Sequence, residues 1–154
     1  MLPLYSNYEI MNTDTAIRKQ VLTREDLFFI VNTFYKEVRK DEVLGPMFNT
    51  TISDWEQHLE KITDFWSNQI FDTRVYKGHP MQAHVEFDKK MHYSITPTHF
   101  GTWLFYWINT INTYYEGANA ELLKDRARKM QTVLYLKMFE HRPQKSRNKL
   151  DERS

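Results

Sequence analysis

Two histidines and a tyrosine give this chain its widest chemical scope. His58 lies in Trp55-Glu56-Gln57-His58-Leu59, and His84 in Gly78-His79-Pro80-Met81-Gln82-Ala83-His84. Both segments sit among aromatic residues, and a phenol lies upstream at Tyr35. A neutral imidazole offers a lone pair to a metal, and a phenol offers a hydrogen bond to a ligand that carries negative charge. An imidazole on each side of an apolar slot, with a phenol reaching in, is the set needed to hold a flat iron cofactor and stabilise a small ligand on it.

Four histidines fall in the relevant region: His58, His84, His92 and His99. His58 leads a stripe with Ile62, Phe65 and Trp66, at i+4, i+7 and i+8 on one helix face. Such a stripe could wall one side of a porphyrin, and it is also what an ordinary core looks like. His92 lies in a polar stretch and reads as a solvated residue. His99 falls in the first turn of a helix, where its ring can meet free backbone N–H groups or solvent. The residues alone leave both readings of His58 and His84 open.

Composition narrows the classes. A chain of 154 residues is one domain with one core. Lys and Arg number 21 against 20 Asp and Glu, so there is no overall basic field for nucleic acid. With no cysteine, disulfides and thiolate metal sites are excluded, and any metal must take nitrogen or oxygen ligands. Neither a membrane-length apolar run nor an export pattern is present, so the expectation is a soluble cytoplasmic protein. Aromatics reach 15%, and only 4 glycines and 5 prolines occur, which predicts few turns and long helices.

The patterning predicts an all-α chain. Residues 1–20 read as an N-terminal extension, with a short helix from Asp14 to Gln20. Thr23 with Asp26 forms a capping-box variant ahead of Leu27, Ile30, Val31, Phe34, Tyr35 and Val38, a helix to about Lys40. Leu44-Gly45-Pro46-Met47-Phe48 reads as a corner with Phe48 buried. Ser53 with Glu56 reads as a second capping box, opening a helix that runs to about Ile70. Asp72 to Gly78 is a loop, and Pro80 opens a short helix ending near Phe87. Asp88 to Ser94 reads as polar and irregular. Thr96-Pro97 caps a strongly apolar helix that Gly117 ends, and a last helix runs from Ala120 to His141. The domain is thus 21–141, followed by a charged tail over 142–154 expected to be disordered.

Four blocks taken in order are specific where each alone is weak. They are Phe34-Tyr35-Lys36-Glu37-Val38-Arg39 with Leu44-Gly45-Pro46-Met47-Phe48; Trp55-Glu56-Gln57-His58-Leu59 with Phe65-Trp66; Tyr76-Lys77-Gly78-His79-Pro80-Met81-Gln82-Ala83-His84; and His99-Phe100-Gly101-Thr102-Trp103-Leu104. Over about residues 24–140 the chain resembles the third group of truncated haemoglobins. The resemblance implies a shortened globin, a two-over-two helical sandwich around haem b, without the Gly-Gly helix ends of the other truncated groups. It assigns His84 as the proximal iron ligand, Tyr35 and His58 as distal groups, and Trp103 as the indole beside the bound ligand. Phe48 becomes the corner residue against the porphyrin, Ile62, Phe65 and Trp66 the distal wall, and Tyr76 a residue at the haem edge. Phe34, Met81 and Phe100 are expected around the same cofactor. The stretch from His84 to Phe100 is longer than in compact members, and Ala83 stands where a basic residue often meets a propionate. Lys77, His79 and Lys89 are the alternatives for that contact.

The implied function is reversible binding of oxygen and other diatomic ligands, such as nitric oxide, carbon monoxide or cyanide, at an iron that His58 could also bind when no ligand is present. A reductase partner is implied with it. The alternative is oxidative chemistry on the same haem, as a nitric-oxide dioxygenase or a peroxidase-like enzyme. A third reading, a cofactor-free helical interaction module, is separated by colour alone.

Overall fold

A computed structural model describes residues 18–151. These form seven helices and no strand: α1 (Arg24–Lys40), α2 (Leu44–Thr51), α3 (Trp55–Phe71), α4 (Pro80–Lys90), α5 (Pro97–Tyr114), α6 (Ala118–Glu140) and α7 (Gln144–Asp151). Helix α1 packs on α3 and α5 on α6, and the two pairs meet through α1 with α5 and α3 with α6. The all-α, truncated-globin architecture expected from the sequence is the one observed. No helix among the described residues is long and apolar enough to cross a membrane.

Local chemistry sets the helix ends. The Thr23 hydroxyl accepts the Asp26 N–H at 3.2 Å, while the Asp26 carboxylate accepts the N–H groups of Leu22 and Thr23 at 3.0 and 3.1 Å. Glu25 and Asp26 at the start of α1, with Arg39 and Lys40 at its end, complement the helix dipole. On α5 the reciprocal cap comes from a histidine. Thr96 N–H donates to His99 Nδ1 at 2.9 Å, which is the first-turn role expected of that ring.

Several boundaries differ from the sequence reading, each for a physical reason. Leu44–Thr51 is a helix rather than a bare corner. Asp41 accepts the N–H groups of Val43 and Leu44, both at 2.9 Å, and Pro46 falls in the first turn where no N–H is required. Phe48 is half-buried, because it faces a cleft. Asp54, not Ser53, caps α3, accepting the Gln57 N–H at 3.1 Å. Helix α4 runs a turn beyond Phe87 and carries Asp88 inside it, buried. Helix α5 stops at Tyr114, and Gly117 instead precedes α6, with a φ of 97° that favours glycine. Within the expected Asp14–Gln20 helix, residues 14–17 lie outside the described residues. Lys19 instead bridges Tyr115, its N–H donating to Tyr114 O at 3.3 Å and its carbonyl accepting the Glu116 N–H at 3.0 Å. At the other end Arg142 is buried and Gln144–Asp151 is helical, so packing continues past residue 141.

The core is an aromatic stack walled by aliphatic side chains. Trp66 of α3 and Trp107 of α5 stack at 4.6 Å, and Trp103 lies parallel to Trp107 at 6.1 Å. Phe34 meets Trp103 and Trp107 edge-on at 5.3 and 5.2 Å. Trp107 donates its indole N–H to Leu123 O at 3.2 Å, so this fully buried indole has no polar group left over.

Candidate functional site

A cleft of about 330 Å³ is lined by residues of α1 to α6. Helix α3 supplies His58, Ile62, Phe65 and Trp66, the stripe read from the sequence. Tyr35 enters from α1, Phe48 from α2, Tyr76 from the loop before α4, His84 from α4, and Phe100 and Trp103 from α5. Ten of the twelve expected site residues therefore line one cleft. Two do not. Phe34 is buried behind Tyr35 and Trp103 and touches the site only through them. Met81 is 41% exposed and is not part of the lining.

The geometry at His84 fixes its chemistry. Its Nδ1 lies 2.6 Å from the carbonyl oxygen of Pro80, one helical turn earlier. A carbonyl only accepts, so Nδ1 carries the proton, and in the neutral ring the lone pair is at Nε2. Nε2 has no hydrogen-bond partner among the described residues. Burial pushes the imidazole below its ordinary pKa, against the opposing effect of the Pro80 bond, and so favours the neutral form that binds metals. Phe100 lies nearly parallel to the ring at 6.4 Å.

In the same cleft, His58 Nε2 and Tyr35 Oη lie 3.2 Å apart. Burial, helped by the charge of Lys61, pushes His58 down to about 4. Tyr35 is buried and its phenol is pushed well up from its ordinary value. Both groups are neutral at pH 7, so one hydrogen bond joins them, with either as the donor according to the His58 tautomer. Trp103 adds an indole N–H that has no acceptor among the described residues. Tyr35, His58 and Trp103 thus line the same cleft as His84.

Sequence reasoning missed other parts of the lining. Met130, Leu134 and Met138 recur every four residues on α6, an apolar stripe that could not be told from ordinary core. Phe87 stands three residues after His84 and so shares its face, a signal that was legible. Ile95, Met47 and Lys61 carried none. Lys61 lines the cleft, whereas Lys77, His79 and Lys89 do not. Among the described residues no group of three or more His, Asp or Glu is arranged to hold a bare metal ion.

The fold is that of a truncated globin. A crystal structure of a group III truncated hemoglobin from Campylobacter jejuni matches with a TM-score of 0.71, at 23% identity, over 82% of this chain and 98% of that one. The group 3 truncated hemoglobin ctb of Campylobacter jejuni is 27% identical over 124 residues, which are 75% of this chain and 94% of that protein. The resemblance to group III truncated haemoglobins thus holds across most of the chain, in sequence and in fold. No family model matches.

Proposed function

We propose that the cleft binds haem b, that His84 is the protein's ligand to its iron, and that the chain works as a group III truncated haemoglobin taking oxygen and other diatomic ligands. The observation that carries this reading is the His84 Nδ1–Pro80 contact, which leaves an imidazole lone pair at Nε2 in a cleft where no cluster of three or more metal-binding side chains is found among the described residues. A buried imidazole with a free lone pair in a largely apolar cleft suits a metal that brings most of its own ligands. The chain has no cysteine, so attachment through thioether bonds is excluded and a non-covalent haem fits. Lys61 is the cation at the cleft available to a propionate.

Haem, when bound, supplies the iron that takes the ligand. The chain's own part is to hold, shield and polarise. Ile62, Phe65, Trp66 and Phe48 exclude water. The phenol of Tyr35 and the indole N–H of Trp103 donate toward a ligand that gains negative charge, each contact contributing about 1–3 kcal/mol. His58 is hydrogen-bonded to Tyr35 and would stand ready as a third donor or as an iron ligand when no other ligand is bound. Two donors imply slow oxygen release, suited to storage, sensing or redox chemistry more than to delivery. A reductase belongs to the same reading, since oxygen binds only the ferrous state.

A second reading is favoured by the same grouping of Tyr35, His58 and Trp103. Polar donors opposite a histidine ligand also polarise an O–O bond, as peroxidase-like or nitric-oxide dioxygenase chemistry requires. Spectra of the ferric, ferrous and oxygenated forms test the first reading. Steady-state turnover of peroxide or nitric oxide above that of free haem decides for the second.

A further inference from the structure

The helix that carries His84 has one fully buried side chain among the described residues, and it is an acid. Asp88 stands four residues after His84, one turn along the same face of α4. It is 1% exposed, and its partner Arg142 is 2% exposed. The pair is bidentate: Arg142 Nε donates to Asp88 Oδ2 at 2.8 Å and Nη2 to Oδ1 at 2.9 Å. The same Nη2 donates to the carbonyl of Ile95 at 2.6 Å. Ile95 lines the cleft.

Arg142 therefore ties three pieces together. It follows α6, grips α4 through Asp88, and holds the far side of the turn after α4 through Ile95. That turn is itself constrained. His92 and Tyr93 both adopt positive φ, 57° and 59°, and the Tyr93 N–H returns to Asp88 O at 2.8 Å. The guanidinium lies near the faces of Phe139 and Tyr135, at 5.7 and 6.0 Å.

Stability alone is a poor reason for this arrangement. Well-packed apolar residues in place of a buried ion pair are often neutral or stabilising. Here the mismatch is visible, because Arg142 Nη1 is buried with no partner. What a bidentate pair supplies and an apolar contact does not is direction. An apolar side chain lets a helix slide and turn against its neighbour, whereas two parallel N–H···O bonds hold both its height and its rotation. The His84 ring is already fixed to its own helix by the Pro80 bond, so the placement of α4 is the placement of Nε2.

We infer that the Asp88–Arg142 pair is a positioning device for His84, setting the height and rotation of α4 over the cleft and so the bond from Nε2 to a metal held there. The inference rests on the reading of His84 as the iron ligand. Asp88 and Arg142 are positioning residues, acting one turn removed from the metal.

Asp88→Asn and the paired Asp88→Leu/Arg142→Met variant test it, with Leu123→Ala as a core control that leaves the pair intact. The iron–histidine stretching band of the ferrous, ligand-free protein is read by resonance Raman, and haem loss to an excess of apomyoglobin is timed. In apoprotein the His84 ring nitrogens are followed by NMR. Asp88→Asn is expected to shift or split the band and to speed haem loss by roughly tenfold to a hundredfold, as loss of a residue supporting a metal ligand typically does. The apolar pair restores thermal stability without restoring the band. Leu123→Ala lowers stability without moving it. A wild-type band in both Asp88→Asn and the apolar pair overturns the inference. If Asp88→Asn does not fold, the apolar pair decides by the same criterion. Wild-type protein that takes up haem without an iron–histidine band sinks the ligand assignment instead. In that event the apoprotein NMR still decides: His84 ring signals unchanged by Asp88→Asn or the apolar pair overturn the positioning role.

Discussion

Replacing Tyr35 by Phe removes one oxygen atom and leaves the ring in its packing against Phe34, Phe48 and Trp55. In the apoprotein the loss is the 3.2 Å contact with His58. His58 faces an open cleft, so water replaces the phenol, and the expected cost is about 0.5–1.5 kcal/mol. In the haem-loaded protein the change is larger. The phenol is one of the donors lining the cleft with His84, and a donor to a charged acceptor is worth about 1.5–3 kcal/mol. Oxygen escape should then accelerate by roughly tenfold to a hundredfold, while carbon monoxide, which accumulates less charge, changes little. The hydrogen bond to His58 adds a further expectation. Tyr35 can donate to the ligand only while its O–H is not donated to His58, so Tyr35→Phe and His58→Leu should be non-additive. Stopped-flow displacement of oxygen by carbon monoxide in the two single variants and the double variant measures both effects. Escape rates unchanged by Tyr35→Phe, with strictly additive variants, would refute the reasoning.

Other outcomes follow from the same geometry. His58 has a pKa of about 4 in the folded protein against 6.5 ordinarily; below 6.5 the unfolded chain takes a proton that folded His58 refuses. Apoprotein stability from this group is therefore full above that value and is lost as pH falls from 6.5 to about 4, and urea titrations of His58→Leu should lack that part of the loss. Asp26 behaves differently. Burial pushes it up, but hydrogen bonds from Leu22, Lys19 and Thr23 outweigh this and hold it at about 2 against 3.8. Its contribution is present above the ordinary value and lost as pH falls through about 2, and Asp26→Ala should cost about 1–2 kcal/mol at pH 7 by urea denaturation. A Cβ at residue 78 would overlap the Tyr76 ring, so Gly78→Ala should displace Tyr76 from the cleft and broaden the absorption band of bound haem.

Much of this site was legible because helical periodicity and a single helix face suffice to define it. His58, Ile62, Phe65 and Trp66 could be placed together from spacing alone, and Pro80 gave the start of α4. What spacing cannot show is which of two apolar stripes faces a cleft. Hence Phe34, whose position in its helix resembles that of Tyr35, turned out to lie behind the cleft, and the stripe on α6 was passed over as core. Met81 was carried in by its neighbours in sequence and points away from the lining. The Asp88–Arg142 pair joins residues 54 positions apart. Each looked like an ordinary surface charge, and only the tertiary approach of α4 to the end of α6 makes them partners. For the same reason Arg142 was assigned to a tail.

The central claim is that His84 is what tethers haem in this cleft. The measurement is a titration of haem into apoprotein, followed by absorption, for wild type and His84→Gly with and without free imidazole. The wild type should bind one haem per chain with a sharp Soret band. His84→Gly should bind weakly, with an altered band, and imidazole entering the vacated space should restore the wild-type spectrum. A His84→Gly protein that keeps the wild-type spectrum without imidazole, or a folded wild type that binds no haem, would contradict the account.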